Sequence, residues 1–247
     1  MKKYFNVNFE FEKLKVHETV EKNISNKKKG YVCVVDGNVL AHSYKNREYN
    51  QILNSSTINI CDGSSIALFS GLIHCEKLEA YTGPQIFSKY IKMNYRQCFI
   101  GNTPENLLKI KDKMMNLGFN LDLFKFISLP FKQVSDFDYI AISKEVNSFN
   151  PDIIWVSLGA PKQEYFISKL FPFIEQGILF AIGAVFNFFL VEKKKDKSIL
   201  EKCNLVWLSR VLKEPKRVGG RALKYLFILP KLILTEIKNR KNNEAIS

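Results

Sequence analysis

Six short runs of apolar residues, rich in β-branched and aromatic side chains, recur along the chain at 31–35, 58–61, 97–100, 123–128, 153–157 and 178–182. Runs of this length with little polar alternation predict strands buried on both faces, as in a parallel sheet. The segments between them carry helical spacing. One helix is predicted over 38–53. Another spans 104–117, where Thr103 can cap the start, Pro104 suits the first turn and Gly118 ends it. Two more are predicted at 135–147 and 162–170. Strand and helix in alternation predict an α/β domain with a mainly parallel sheet and flanking helices. The apolar run 178–191 is too short to span a bilayer and reads as a core strand entering a buried turn.

The pattern changes at 192–197, where an apolar run meets Lys193, Lys194, Lys195, Asp196 and Lys197. This places a boundary between a catalytic-sized unit, 1–192, and a helical appendage, 193–247. A helix is predicted at 198–212, and Pro215 with the pair Gly219 and Gly220 interrupts the helical pattern after it. The stretch 221–237 is apolar but holds Lys224, Pro230 and Lys231. Basic residues flanking apolar ones suit a helix lying in a membrane interface. The competing reading packs it on the protein body, or on a second subunit of a homo-oligomer.

Charge sharpens that division. The net charge is +13, and residues 193–247 hold 15 Lys and Arg against 5 Asp and Glu. A near-neutral body with a basic end favours an anionic partner: nucleic acid, acidic lipid or a phosphorylated substrate. Composition is otherwise that of an ordinary folded protein, and the start of the chain lacks the unbroken apolar stretch of a secretory signal. The five cysteines are odd in number, form no C-x-x-C pair and read as buried apolar residues in a reducing cytoplasm.

Ligands of open α/β sheets bind beyond the carboxyl ends of the strands, and four loops stand there. Asp62-Gly63-Ser64-Ser65 comes directly after the second strand. Its carboxylate can take a proton from an attacking hydroxyl, and its serines open a helix whose N-terminus attracts phosphate; capping that helix is the simpler role for Asp62. Asp36-Gly37-Asn38 has the same layout, with a turn and cap as its simpler reading. Gly101-Asn102-Thr103 lacks a full dinucleotide fingerprint, which weakens a nucleotide-dependent oxidoreductase. Gly159-Ala160-Pro161-Lys162-Gln163-Glu164 is denser in polar function than an ordinary connection: Lys162 can meet phosphate, and Gln163 and Glu164 can hydrogen-bond a sugar or base. Asn187 interrupts an apolar run and needs partners. Asp136-Phe137-Asp138 has the form of a metal-holding D-x-D pair but reads as a helix start, where carboxylates suit the dipole. His17, His42 and His74 show no ligand spacing, so neither metal nor cofactor is implied. Arg210, Arg217 and Arg221 are spaced to share a face if one helix carries them, and arginine grips phosphate in a fork.

In order, these motifs resemble the WecG/TagA/CpsF glycosyltransferase family over about residues 30–230. The resemblance rests on Asp36-Gly37-Asn38-Val39, Cys61-Asp62-Gly63-Ser64-Ser65, Tyr81-Thr82-Gly83, Phe99-Ile100-Gly101, and Pro151-Asp152-Ile153 leading to the P-K-Q-E element at 161–164. It ends in W-x-x-R-x-x-x-E-P-x-R from Trp207 to Arg217. It implies a Rossmann-like core and an inverting transferase that moves an N-acetylmannosamine-type or related sugar from a UDP donor. The implied acceptor is a sugar on a polyprenyl diphosphate at the inner face of the membrane. Products feed teichoic acid, capsule or related surface glycans. By this similarity Asp62 is the general base and Gln163 helps hold the donor. Thr82 of the T-G pair joins the substrate contacts. The tail arginines close over the diphosphate and help seat the enzyme on lipid. The chain departs from the family at Ala80, where an arginine is frequent, at Asn187, where an aspartate is common, and at Asp36-Gly37-Asn38, where the family usually has N-A; these positions surround the substrates and bear on which sugar is used. The alternative, a nucleic-acid-binding protein, is disfavoured because the tail run is aliphatic and offers no stacking platform.

Overall fold

Every strand of the main sheet runs in the same direction. The computed structural model describes residues 1–191 and 215–244. After a small antiparallel hairpin, β1 (Lys2–Tyr4) and β2 (Val7–Phe9), come α1 (Lys13–Ser25), β3 (Gly30–Val35), α2 (Gly37–Lys45), α3 (Arg47–Asn54), β4 (Ile58–Cys61), α4 (Ser64–His74) and α5 (Gly83–Tyr90). Next are β5 (Gln97–Gly101), α6 (Pro104–Asn116), β6 (Phe124–Ile127), α7 (Tyr139–Phe149), β7 (Ile153–Ser157), α8 (Lys162–Leu170), β8 (Ile178–Ala181), α9 (Val185–Leu190) and a long helix, α10 (Pro215–Glu244). The six-stranded sheet has the order β4-β3-β8-β7-β5-β6 and is parallel throughout. The expected Rossmann-like α/β fold with flanking helices and a C-terminal helix is what the chain adopts.

Strand alternation sorts the core into two layers. On one face Tyr31, Cys33 and Val35 of β3, Ile154 and Val156 of β7, and Leu179 and Ala181 of β8 pack against α2, α3, α4, α7, α8 and α10. On the other, Val32, Val34, Trp155 and Phe180 meet α1, α5, α6 and α9. Burial on both faces is why the strand sequences lack polar alternation. Inside the second layer Gln97 is wholly buried and satisfied: its Oε1 accepts from Trp155 Nε1 at 2.8 Å and its Nε2 donates to the Tyr90 carbonyl at 2.9 Å.

Local chemistry changes several expected boundaries. The predicted helix 38–53 is two helices, broken at Asn46, whose extended backbone lets its side chain accept from Tyr49 N and cap α3. The predicted start at Ser135 is a 3-10 turn; α7 begins after Asp138, whose carboxylate accepts from Ala141 N. The run after β8 forms the short helix α9. Thr103 caps α6 as expected, and Gly118 takes the left-handed conformation just beyond it. Cys33, Cys61 and Cys98 are buried, whereas Cys75 is exposed; Cys203 lies outside the described residues. The boundary at 192–197 and the helix 198–212 also lie outside them.

The tail differs most from expectation. The glycine pair does not interrupt it: α10 runs unbroken from Pro215, with Pro230 inside. Proline cannot donate to the carbonyl four residues back, but Pro230 is exposed, so that carbonyl is open to water. One stripe of α10, Tyr225, Ile228 and Leu232, is buried against α2 and α4. The outward surface interleaves Lys224, Lys231, Lys238 and Lys241 with Leu226, Phe227, Leu234 and Ile237. No helix among the described residues is long and apolar enough to cross a membrane.

The Gln97–Trp155 pair gives a direct check on the core. Trp155→Phe leaves a buried carbonyl without its donor and a void beside Phe180. It should cost about 2–4 kcal/mol, seen as a lower urea midpoint with an unchanged m-value.

Candidate active site

A cleft of about 480 Å³ lies beyond the carboxyl ends of β3, β4, β5, β7 and β8. Its position is set by the chain path: α2 and α8 leave β3 and β7 toward one face, while α9 leaves the intervening β8 toward the other, which parts the loops above the sheet. The first turns of α2, α4, α5 and α9 all contribute to the lining, through Gly37, Ser64, Pro84 and Val185. Converging helix N-termini direct their positive dipole ends toward one space, a setting suited to an anion.

Asp62 stands on this wall, one residue past β4. Its Oδ1 accepts from Gly83 N, the first residue of α5, at 2.9 Å. Asp62 therefore does not cap the helix after it; Gly63 is the cap residue of α4. The carboxylate instead ties the β4 loop to the start of α5. Thr82, next to that contact, also lines the cleft, and Gln85 Oε1 takes both its N–H, at 2.8 Å, and its hydroxyl, at 3.0 Å. Asp36 lines the cleft while capping α2, with Oδ1 accepting from Val39 N at 2.9 Å. Asn38 and Ser64 are on the lining as well. Asn102 and Asn187 face each other across the rim, with Nδ2 and Oδ1 3.5 Å apart, and Asn102 also takes Thr103 N and Asn106 Nδ2.

The P-K-Q-E loop divides its residues between the cleft and the interior. Gly159, with φ +76, lines the cleft. Gln163 lines it too but is nearly buried. Its Oε1 accepts from Gly159 N at 3.2 Å and from Gly183 N at 2.8 Å, and its Nε2 donates to Glu164 Oε1 at 2.8 Å. One side chain thus joins the loops after β7 and β8, and its oxygen is saturated. An amide nitrogen carries two hydrogens, so the second N–H is what Gln163 has left for a ligand. Glu164 and Lys162, expected at the substrate, are not on the lining. Glu164 is fully buried below the cleft. Lys162 is turned onto the rings of Phe131 and Phe137, with its ammonium donating to the Lys132 carbonyl. An ammonium over two aromatic faces and on a carbonyl is well placed without phosphate. Gly101 is also off the lining: a Cβ there would come 2.8 Å from the Ser157 carbonyl, so close approach of β5 to β7 accounts for the glycine.

Tyr225 escaped the sequence pattern because it sits in an apolar run. A phenol is an apolar ring with a polar tip, and that tip was the signal to follow. Its hydroxyl meets Ser65 Oγ at 3.1 Å, and its ring covers Gly37, where an added Cβ would come within 2.8 Å of it. Burial pushes the phenol up to about 12, so it stays protonated. Arg217 and Arg221 fall on α10, four residues apart on one helix; Arg210 lies outside the described residues. A larger groove of about 1000 Å³ lies between α5, α6 and α9, but its lining is mostly apolar and, among the described residues, carries no carboxylate. The smaller cleft is the one that holds carboxylates, Asp36 and Asp62, at the strand ends.

Beneath the cleft, burial raises the Glu164 carboxyl to about 7, opposed by hydrogen bonding from Gln163 and Tyr49. The Tyr49 hydroxyl approaches it, though neither that hydroxyl nor Glu164 Oε2 completes a well-aligned hydrogen bond. An acid whose folded pKa is raised favours the folded state below its unfolded pKa and loses that contribution as pH rises through the folded value. Between roughly pH 4.5 and 7 this group should remove on the order of 3 kcal/mol of stability. Glu164→Gln should flatten that slope in urea titrations repeated across the range.

The chain is 24% identical over 231 residues, 92% of its length and 86% of the relative's, to an N-acetylglucosaminyldiphosphoundecaprenol N-acetyl-beta-D-mannosaminyltransferase of Bacillus subtilis (strain 168). It is 20% identical over 216 residues, 83% of its length and 82% of the relative's, to the protein of the same description in Staphylococcus aureus (strain MW2). The sequence model of the "Glycosyl transferase WecG/TagA/CpsF family" matches residues 4–243. With Asp62, Gln163 and the α10 wall gathered around one strand-end cleft, the chain is a glycosyltransferase that belongs to the WecG/TagA/CpsF family.

Proposed function

We propose that this enzyme transfers an N-acetylmannosamine-type or related sugar, with inversion, from a UDP-sugar to a sugar on a polyprenyl diphosphate, in the synthesis of teichoic acid, capsule or another cell-surface polysaccharide. The observation that carries the reading is the Asp62 carboxylate, held by Gly83 N on the wall of a cleft where several helix N-termini converge. The descriptions of the relatives, which name an N-acetylglucosaminyl-diphosphoundecaprenol acceptor and a mannosaminyl group, support the same chemistry.

These positions give each group its step. Asp62 takes the proton of the acceptor hydroxyl as that oxygen forms a bond to the anomeric carbon from the face opposite the leaving group. The bond from that carbon to the diphosphate oxygen breaks, and its electron pair departs with UDP. Charge growing on the diphosphate meets the helix N-termini, with the arginines of α10 as further donors. Gln163 offers its free N–H to a sugar oxygen, and Asn102 and Asn187 offer amides at the rim. Asn187 cannot act as a base or an anion, so its role is confined to hydrogen bonding.

The acceptor's lipid sets where the enzyme works. The outward surface of α10, lysines beside Phe227 and Leu234, suits the anionic inner face of a membrane, with the ammonium groups at headgroup level and the apolar side chains below. The enzyme is then peripheral, and α10 serves both the body and the lipid.

Two measurements test these points. Asp62→Asn keeps an oxygen for Gly83 N and removes the base. In a screen of UDP-sugars against a short-chain lipid-diphosphate acceptor, it should lower kcat by about 10²–10⁴-fold with the melting temperature maintained; wild-type turnover would sink the assignment. Replacing both Phe227 and Leu234 by Glu should abolish sedimentation with anionic vesicles while leaving the buried stripe of α10 intact. Undiminished binding would remove the lipid from the role of α10.

A further inference from the structure

The longest-range side-chain contact in the described chain joins α10 to the β1–β2 hairpin. Glu236 is 3% exposed, yet its carboxylate is fully engaged. Oε2 accepts from Phe5 N at 2.7 Å, across 231 residues of sequence, and Oε1 lies 2.8 Å from His74 Nε2 at the end of α4. The His74 ring stands edge-on to Tyr4, whose hydroxyl donates to Glu76 Oε2. One turn further along, Arg240 donates to the Ile73 carbonyl. The other end of α4 carries Ser65, the partner of Tyr225. α10 is therefore tied to both ends of α4: Ser65 to Tyr225 at the cleft and, about 16 Å away along α10, His74 to Glu236 with Ile73 to Arg240 beside it.

Burying a carboxylate is a poor way to strengthen a helix contact, because an apolar side chain of similar size does as well without the desolvation. What a carboxylate adds is direction. Residues 226–234 are Leu, Phe, Ile, Leu, Pro, Lys, Leu, Ile and Leu, so the run has several apolar side chains able to fill the same seat and little to resist a slip or rotation. A carboxylate that must meet both Phe5 N and His74 Nε2 permits one register.

We propose that Glu236 is a positioning residue for the transfer site: it sets the register of α10 on α4, and so holds Tyr225 against Ser65 on the cleft wall. This rests on the glycosyl-transfer reading above. Gly37 supplies an independent handle on the same contact, since a Cβ at that position would displace the Tyr225 ring without touching the latch.

The test uses the full chain with Glu236→Ala, Glu236→Gln, Gly37→Ala and the Glu236→Ala/Gly37→Ala double variant, by steady-state kinetics and hydrogen exchange. Well below its melting temperature, Glu236→Ala should lower kcat/KM for the lipid-linked acceptor by about tenfold or more. Glu236→Gln, which still offers an oxygen to Phe5 N and a donor to His74, should recover most of that loss. The double variant should be no worse than the poorer single one, because both act through the position of Tyr225. Full additivity, or equal damage from Gln and Ala, would overturn the proposal. Exchange at Phe5 N–H and along α10 should rise in Glu236→Ala and stay protected in Glu236→Gln, and this readout needs no substrate. If no UDP-sugar turns over in the wild type, the transfer reading fails on its own; unchanged protection of Phe5 in Glu236→Ala would overturn the latch whatever the activity.

Discussion

A parallel sheet has one edge at which every strand stops and every following helix begins. Antiparallel pairing would have scattered those ends, and the loops after β3, β4, β5, β7 and β8 would not share a space. Because all six strands run together, the carboxylate after β4, the amide after β7 and the two asparagines beyond β5 and β8 become neighbours although the sequence keeps them far apart. The same geometry delivers the helix N-termini that suit a diphosphate. Single-direction pairing is what the enzyme's chemistry stands on, and burial of both sheet faces is what holds it.

Below that edge the polar groups form two tiers. Asp62, Thr82, Asn102 and Asn187 line the cleft, where a ligand can reach them. Gln163 belongs to both tiers: its oxygen is spent on Gly159 N and Gly183 N, and its nitrogen is steered by Glu164. Glu164 belongs to the interior alone. Burying an acid with one oxygen poorly partnered is costly, and it orients the amide above it. Exchanging Gln163 for a glutamate would put an acceptor where the two loops need one but would lose the donor to Glu164.

Much of this was legible in the sequence, for identifiable reasons. All six sheet strands stood out because strands buried on both faces leave uninterrupted apolar runs. The β1–β2 hairpin did not, since three-residue strands such as Lys2–Tyr4 are too short to show a period. The split of α2 from α3 was hidden because Asn46 reads equally as a helix interior and as a cap until its backbone is seen. At the cleft, Asp62 was legible from its place after a strand. The directions of Lys162 and Glu164 were not, because adjacent residues on a helix face about 100° apart and sequence does not say which of them turns toward the ligand. Tyr225 was missed because its part in the cleft depends on a docking that joins distant parts of the chain.

That docking also dictates an order of assembly. The sheet is complete once β8 has formed, and nothing in it waits for α10. Phe5, near the start of the chain, gives its backbone N–H to a carboxylate 231 residues later. Contacts of such separation form late, because the intervening loop must close first. Before α10 docks, the cleft lacks the wall that bears Tyr225. On the transfer reading proposed above, a chain ended before α10 would keep the strand-end loops and lack that wall.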